Sequence, residues 1–142
     1  MTKSKIIFIV VMIVVIGIQF IDFERSNPLV TADIETPMQI KTILAKSCYD
    51  CHSNETKWPW YSKVAPVSWL VVVDVNEGRA HLNFSNWEKL TTDKQIKLSG
   101  KIIDEIDEGG MPLGKYTMLH PGAVLDLEKK AALKKWFQEF SK

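Results

Sequence analysis

At 142 residues, with 46% hydrophobic and 25% charged side chains, the chain has the size and composition of one compact globular domain, which excludes a repeat array or a disordered polymer. Its 18 Lys and Arg against 17 Asp and Glu nearly cancel, and past residue 25 they cancel entirely. That balance excludes a nucleic-acid binder, which needs a surplus of cations to displace phosphate counterions.

The first element is the uncharged run IIFIVVMIVVIGIQFI at residues 6–21, interrupted by one strongly polar residue, Gln19. As a helix, sixteen such residues extend about 24 Å, a little under a hydrocarbon layer of roughly 30 Å. Lys3 and Lys5 precede the run and Asp22 and Glu24 follow it. The positive-inside bias therefore predicts an amino terminus in the cytoplasm and a single-pass anchor in a bacterial inner membrane, with the rest in the periplasm. No small-x-small site follows the run, so an uncleaved anchor over residues 1–21 is expected rather than a signal peptide. Residues 22–35 lack apolar periodicity and read as a tether, leaving residues 36–142 as the domain.

Within that domain Thr36 and Pro37 predict a helix start, and Ile40, Ile43 and Leu44 form a one-sided stripe leading into Cys48. Trp58, Pro59, Trp60 and Tyr61 make an aromatic loop, and Pro66 opens a helix running toward Gly78. Thr92 with Gln95 is a capping-box pattern for an amphipathic helix through Ile96, Ile102, Ile103 and Ile106, ended by Gly109. A last helix begins near Asp126 and carries Leu133, Trp136, Phe137 and Phe140. Its Lys129, Lys130, Lys134 and Lys135 read as a solvated face. The fold class expected is all-α.

The segment Cys48-Tyr49-Asp50-Cys51-His52 carries the chemistry. Thiols two residues apart can each add across one vinyl group of a haem, and the adjacent histidine can ligate its iron, so one covalent haem c is expected on Cys48, Cys51 and His52. Competing readings are a thioredoxin-like thiol motif, zinc held by Cys48, Cys51, His81 and His120, or a structural disulfide. The sequence lacks the strand pattern of the first and the spacing of the second. For the sixth iron position the candidates are Met111 and Met118, with His120 and His81 as nitrogen alternatives. Met111 is preferred because Gly109, Gly110 and Pro112 place it on a close-approaching, stiffened loop, whereas Met1 and Met12 lie in the anchor and Met38 on the helix before the motif. Trp58, Trp60, Tyr61, Trp69 and Tyr116 are candidates to wall the haem or bond its propionates, with ordinary packing as the alternative, and Arg79 is a candidate propionate partner.

With those residues in view, the chain resembles a class I cytochrome c: the motif ends a first helix, Gly110-Met111-Pro112 forms a loop, and Leu125, Glu128, Leu133 and Trp136 lie on a closing helix. More narrowly it resembles small bacterial haem-binding-domain proteins that share CxDCHSNxTxWPWYS, APVSW, LNFSxW and MPxxxYxxxHP, read here at residues 48–62, 65–69, 82–87 and 111–121. Their loop usually reads Met-Pro-Pro, whereas here Leu113 follows Pro112. The resemblance, which covers most of residues 36–142, implies a cytochrome c-like helical domain around one covalent haem, and the apolar run adds a single transmembrane helix before it. A haem with both axial positions filled by protein implies an electron carrier serving redox partner proteins, not an enzyme. The alternative is a haem-based small-ligand sensor or minor peroxidase with an open or displaceable sixth position.

Overall fold

A computed structural model describes residues 2–141; Met1 and Lys142, the outermost residues of the expected anchor and domain, lie outside the described residues. The described chain is all-helical: α1 (Lys3–Ile18), α2 (Met38–Ser47), α3 (Tyr49–His52), α4 (Val67–His81), α5 (Thr92–Glu108), α6 (Gly114–Leu119) and α7 (Leu127–Gln138). Short 3-10 turns at Trp60–Lys63, Phe84–Lys89, Pro121–Ala123 and Glu139–Ser141 connect or end them.

The membrane anchor is overturned. Helix α1 covers 16 residues, beginning on its two lysines, and among the described residues no helix is long and apolar enough to cross a membrane. The apolar run outlasts the helix: past Ile18 the chain tightens, the amides of Gln19, Phe20 and Ile21 donating to the carbonyls of Ile16, Gly17 and Ile18 at 3.1–3.2 Å. The Gln19 side chain at this end fastens to the domain, donating to the Ala65 carbonyl at 3.1 Å and accepting from the Ala65 amide at 3.0 Å. The single-pass inner-membrane placement with a periplasmic domain rested on that span and falls with it.

Nor do residues 22–35 hang free. Residues 31–34 run beside the Phe84–Lys89 turn, with the amides of Ala32 and Ile34 donating to the carbonyls of Ser85 and Phe84 at 3.1 Å each. Ile34 is buried in the main core. Asp33 accepts from the Tyr49 hydroxyl at 2.9 Å and pairs with Lys41, which ties this strap to α2 and α3.

The core lies where α2, α5 and α7 converge. Leu44, Leu133 and Phe137 interlock with Phe84 and Trp87, all essentially without solvent exposure. The aromatic rings meet at tilted and edge-on angles, as between Trp87 and Phe137 at 6.1 Å and 62°, an arrangement ring quadrupoles favour. Helix ends follow local chemistry in part. Gly109 takes the left-handed conformation, φ +73°, that terminates α5, and Asp126 caps α7 by accepting from the Lys129 amide at 2.9 Å. The expected capping box does not form. Thr91 occupies the cap, and Gln95 donates instead to the Trp87 carbonyl at 3.1 Å. Helix α4 does not stop at Gly78 but continues to His81. The α7 lysines are also more than a solvated face: Lys134 pairs with Asp107 at 2.6 Å and Lys130 reaches the Ile106 carbonyl, fastening α7 to α5.

Candidate functional site

Because α2 ends at Ser47 and α3 starts at Tyr49, Cys48 sits on the corner between them, with Cys51 and His52 following on α3. The stack of α3 against α4 needs Gly78: a Cβ there would lie 2.5 Å from the Cys51 carbonyl oxygen and 3.1 Å from the Cys51 Cβ. This glycine has ordinary helical geometry, so its role is to admit the motif's backbone against the helix rather than to turn the chain.

That close approach also orients His52. Its Nδ1 lies 2.9 Å from the Gly78 carbonyl oxygen and 3.1 Å from that of Leu82. Both partners can only accept, so Nδ1 carries the proton and the lone pair is on Nε2, the arrangement an iron-ligating imidazole requires. Burial depresses the His52 pKa below its usual value, and the carbonyls of Leu82 and Gly78 only partly offset this. The ring is therefore neutral near pH 7.

A cavity of about 470 Å³ opens beside the motif, within the range of roughly 300–1,000 Å³ common for cofactor sites. Cys48, His52 and Met111 all line it, along with apolar side chains such as Leu44, Phe84 and Leu98. Ser47 also lines it with a buried hydroxyl that has no hydrogen-bond partner among the described residues, and Asp74, Glu77, His81, Lys101, Glu105 and Lys115 put charged or polar groups on its wall. A largely apolar cleft with a thiol, a neutral imidazole, a thioether and a few polar groups fits a haem. Cys51 lines an adjoining apolar cavity of about 230 Å³. Asp74, Leu113 and Lys115 belong to both walls, so the two spaces are neighbours across the motif.

His81, a nitrogen alternative for the sixth position, shares this cavity wall with Met111, whereas the remaining candidates are dispersed. Met118 is 80% exposed and lines neither cavity. His120 is stacked on Tyr116 at 4.3 Å, away from the lining of the larger cavity. No group of three or more His, Cys, Asp or Glu side chains among the described residues is placed to hold a metal ion, so the zinc set of Cys48, Cys51, His81 and His120 does not assemble. The two thiols are free, not bridged. Burial, then the proximity of Cys51, pushes the Cys48 thiol up to about 12; burial, then Asp74 and Asp50, pushes Cys51 up to about 11. Thiol-redox chemistry needs the opposite shift, because the thiolate is the nucleophile.

Arg79, the candidate propionate partner, is engaged by protein acceptors and lines neither cavity. Its guanidinium donates to the carbonyls of Ser53 at 2.7 Å and Ser26 at 2.9 Å, to Asn27 Oδ1 at 2.9 Å and to Thr56 Oγ1 at 2.8 Å, clamping the N-terminal strap to the turn after the motif. Of the aromatics, Trp58 and Trp69 give their indole N–H groups to Asn27 and the Ile21 carbonyl, Trp60 is 77% exposed, and Tyr61 and Tyr116 line the smaller cavity. Tyr116 donates to Asp50 Oδ2 at 2.8 Å. Burial, followed by that carboxylate's hydrogen bond and charge, pushes the phenol well above its ordinary value, so it stays a donor. Sequence reasoning missed Ser47, Gly78, Leu82 and the Asp50–Tyr116 bond; a glycine inside a helical pattern was the one local signal available.

Helices that bury one aromatic core and leave an apolar cleft against a Cys-x-x-Cys-His segment define a small all-helical haem protein. Family-level comparison reaches the same class independently: residues 13–139 match the haem-binding domain, and the chain belongs to that family. No curated protein and no solved structure matches it.

Proposed function

We propose that the chain is a monohaem c-type cytochrome that carries electrons between redox partner proteins. Cys48 and Cys51 would hold the haem through thioether bonds, His52 would ligate the iron on one side and Met111 on the other, in the manner of a class I cytochrome c. The bound haem would supply a one-electron couple. The observation that carries this reading is the shared cavity wall of Cys48, His52 and Met111, with His52 already hydrogen-bonded through Nδ1 so that Nε2 is the free ligand atom. Apolar walls favour the less charged state of a buried centre, and a thioether ligand raises its potential further. With His52 and Met111 both holding the group, the iron would offer substrate no vacancy, which would distinguish a carrier from an oxidase or peroxidase.

The test is the full chain produced with a cytochrome c maturation system. Haem should survive denaturation and acid-organic extraction, and Cys51→Ala should impair that attachment. The oxidised protein should show the weak near-infrared absorption of a thioether on ferric haem, lost in Met111→Ala and kept in Met118→Ala and His120→Ala. Haem extractable from the wild type would refute the covalent assignment. Loss of the band in Met118→Ala or His120→Ala, with Met111→Ala unchanged, would refute the ligand assignment. Rapid carbon monoxide binding by the wild type would favour a ligand sensor.

A further inference from the structure

The segment bearing Met111 has few anchors of its own. The Met111 amide reaches back to the Glu105 carbonyl at 3.2 Å, and the helix that follows, α6, has no buried side chain. Met111, Pro112 and Leu113 are half-buried on the cavity wall, so hydrophobic burial holds this segment only in part. Adjacent residues of α6 tie it to the body as well. Lys115 pairs with Asp74 at 2.8 Å in an exposed contact, a kind that contributes little in water. Tyr116 donates to Asp50 Oδ2 at 2.8 Å in a half-buried, charge-assisted bond.

The Tyr116 bond is prearranged at both ends. Asp50 Oδ1 is occupied by the Lys57 amide at 3.0 Å, which turns Oδ2 toward α6. On the other side the His120 ring stacks on Tyr116 at 4.3 Å and 24°, fixing the phenol plane. Asp50 lies between Cys48 and Cys51, so the bond runs directly from the attachment segment to the segment that carries Met111, across 66 positions of sequence.

We propose that Tyr116 is a positioning residue that, through Asp50, latches the Met111 segment against the haem cavity and so sets how often the sixth position opens. The proposal rests on the reading of Met111 as a ligand. A ligand such as carbon monoxide can reach the ferrous iron only when the segment opens, so its binding rate reports the latch. Removing a hydrogen bond to a charged acceptor shifts such an opening equilibrium by about tenfold or more.

The experiment uses the matured full chain and Tyr116→Phe, which keeps the ring and its stacking and removes only the hydroxyl. Carbon monoxide should bind the ferrous variant at least about tenfold faster than wild type, with covalent haem and the near-infrared band retained. Lys129→Ala, which removes an exposed ion pair with Asp126 away from both cavities, should stay within about twofold of wild type. In a Met111→Ala background Tyr116→Phe should add nothing, because the residue acts through Met111. A Tyr116→Phe rate equal to wild type, or an equal acceleration in both backgrounds, overturns the latch while the wild-type band still supports Met111 as ligand. A wild type without the band, binding carbon monoxide as fast as Met111→Ala, overturns the ligand reading and the latch with it.

Discussion

Gly78→Ala isolates the contact on which the site depends. Elsewhere in a helix this substitution gains about 1 kcal/mol, because alanine loses less backbone entropy on folding than glycine. At position 78 the new Cβ would stand 2.5 Å from the Cys51 carbonyl oxygen, 3.0 Å from its carbon and 3.1 Å from the Cys51 Cβ. All three atoms belong to or sit directly on the backbone, so no side-chain rotation relieves them. Overpacking of this kind costs about 1–3 kcal/mol. Separating α3 from α4 also stretches the hydrogen bond from His52 Nδ1 to the Gly78 carbonyl, worth about 0.5–1.5 kcal/mol. The clash and the lost bond exceed the propensity gain, and the expected net effect is about 2 kcal/mol of destabilisation. Gly100→Ala is the matched control. It lies within α5 with nothing within 4 Å of its added Cβ, so it should stabilise by up to about 1 kcal/mol. Urea unfolding of the haem-loaded protein, followed by far-ultraviolet circular dichroism, should therefore separate the variants by about 3 kcal/mol at equal m-values. If Gly78→Ala is as stable as Gly100→Ala, the argument that Gly78 admits the haem motif against α4 is wrong.

Other expectations address the rest of the molecule. Ile34→Ala should cost about 2–4 kcal/mol in the same urea titration, as for a core residue, whereas an effect below about 0.5 kcal/mol would return residues 22–35 to a tether. Arg79→Ala should lose roughly 2 kcal/mol through its bonds to Ser53, Ser26, Asn27 and Thr56, with the haem absorption spectrum unchanged; a shifted reduction potential at unchanged stability would contradict the clamp. Haem removal should be severe. Without the cofactor the apolar wall of this cleft, Leu44, Phe84 and Leu98 among it, loses its packing partner to water. The chain produced without haem should melt more than about 10 °C lower or lose its cooperative transition, and an unchanged melting temperature would sever the cavity from the cofactor.

Features set by neighbours in the chain were legible in the sequence. The attachment motif is contiguous, Gly109 and Asp126 act on the backbone beside them, and the amphipathic stripes of α2 and α5 are local periodicities; these sufficed for an all-helical haem protein. What depends on a distant partner was not legible. The apolar run at residues 6–21 says nothing of Ala65, 46 residues beyond Gln19, yet the Gln19 side chain at the end of α1 bonds to that residue's backbone. Residues 22–35 are too polar to signal burial, but their amides and Ile34 find the Phe84–Lys89 turn only after the chain folds back. Arg79 looked available for a propionate because its acceptors are main-chain carbonyls and side chains that no motif encodes. Likewise, the hydrogen bonds that orient His52 come from Gly78 and Leu82, and the bond that ties α6 to the motif comes from Tyr116. Sequence thus determined which chemistry the chain carries and most of its helices. Only the tertiary structure decided where the end of α1 docks, what the N-terminal strap does and how the site is held, because those outcomes rest on hydrogen bonds and packing between residues far apart along the chain.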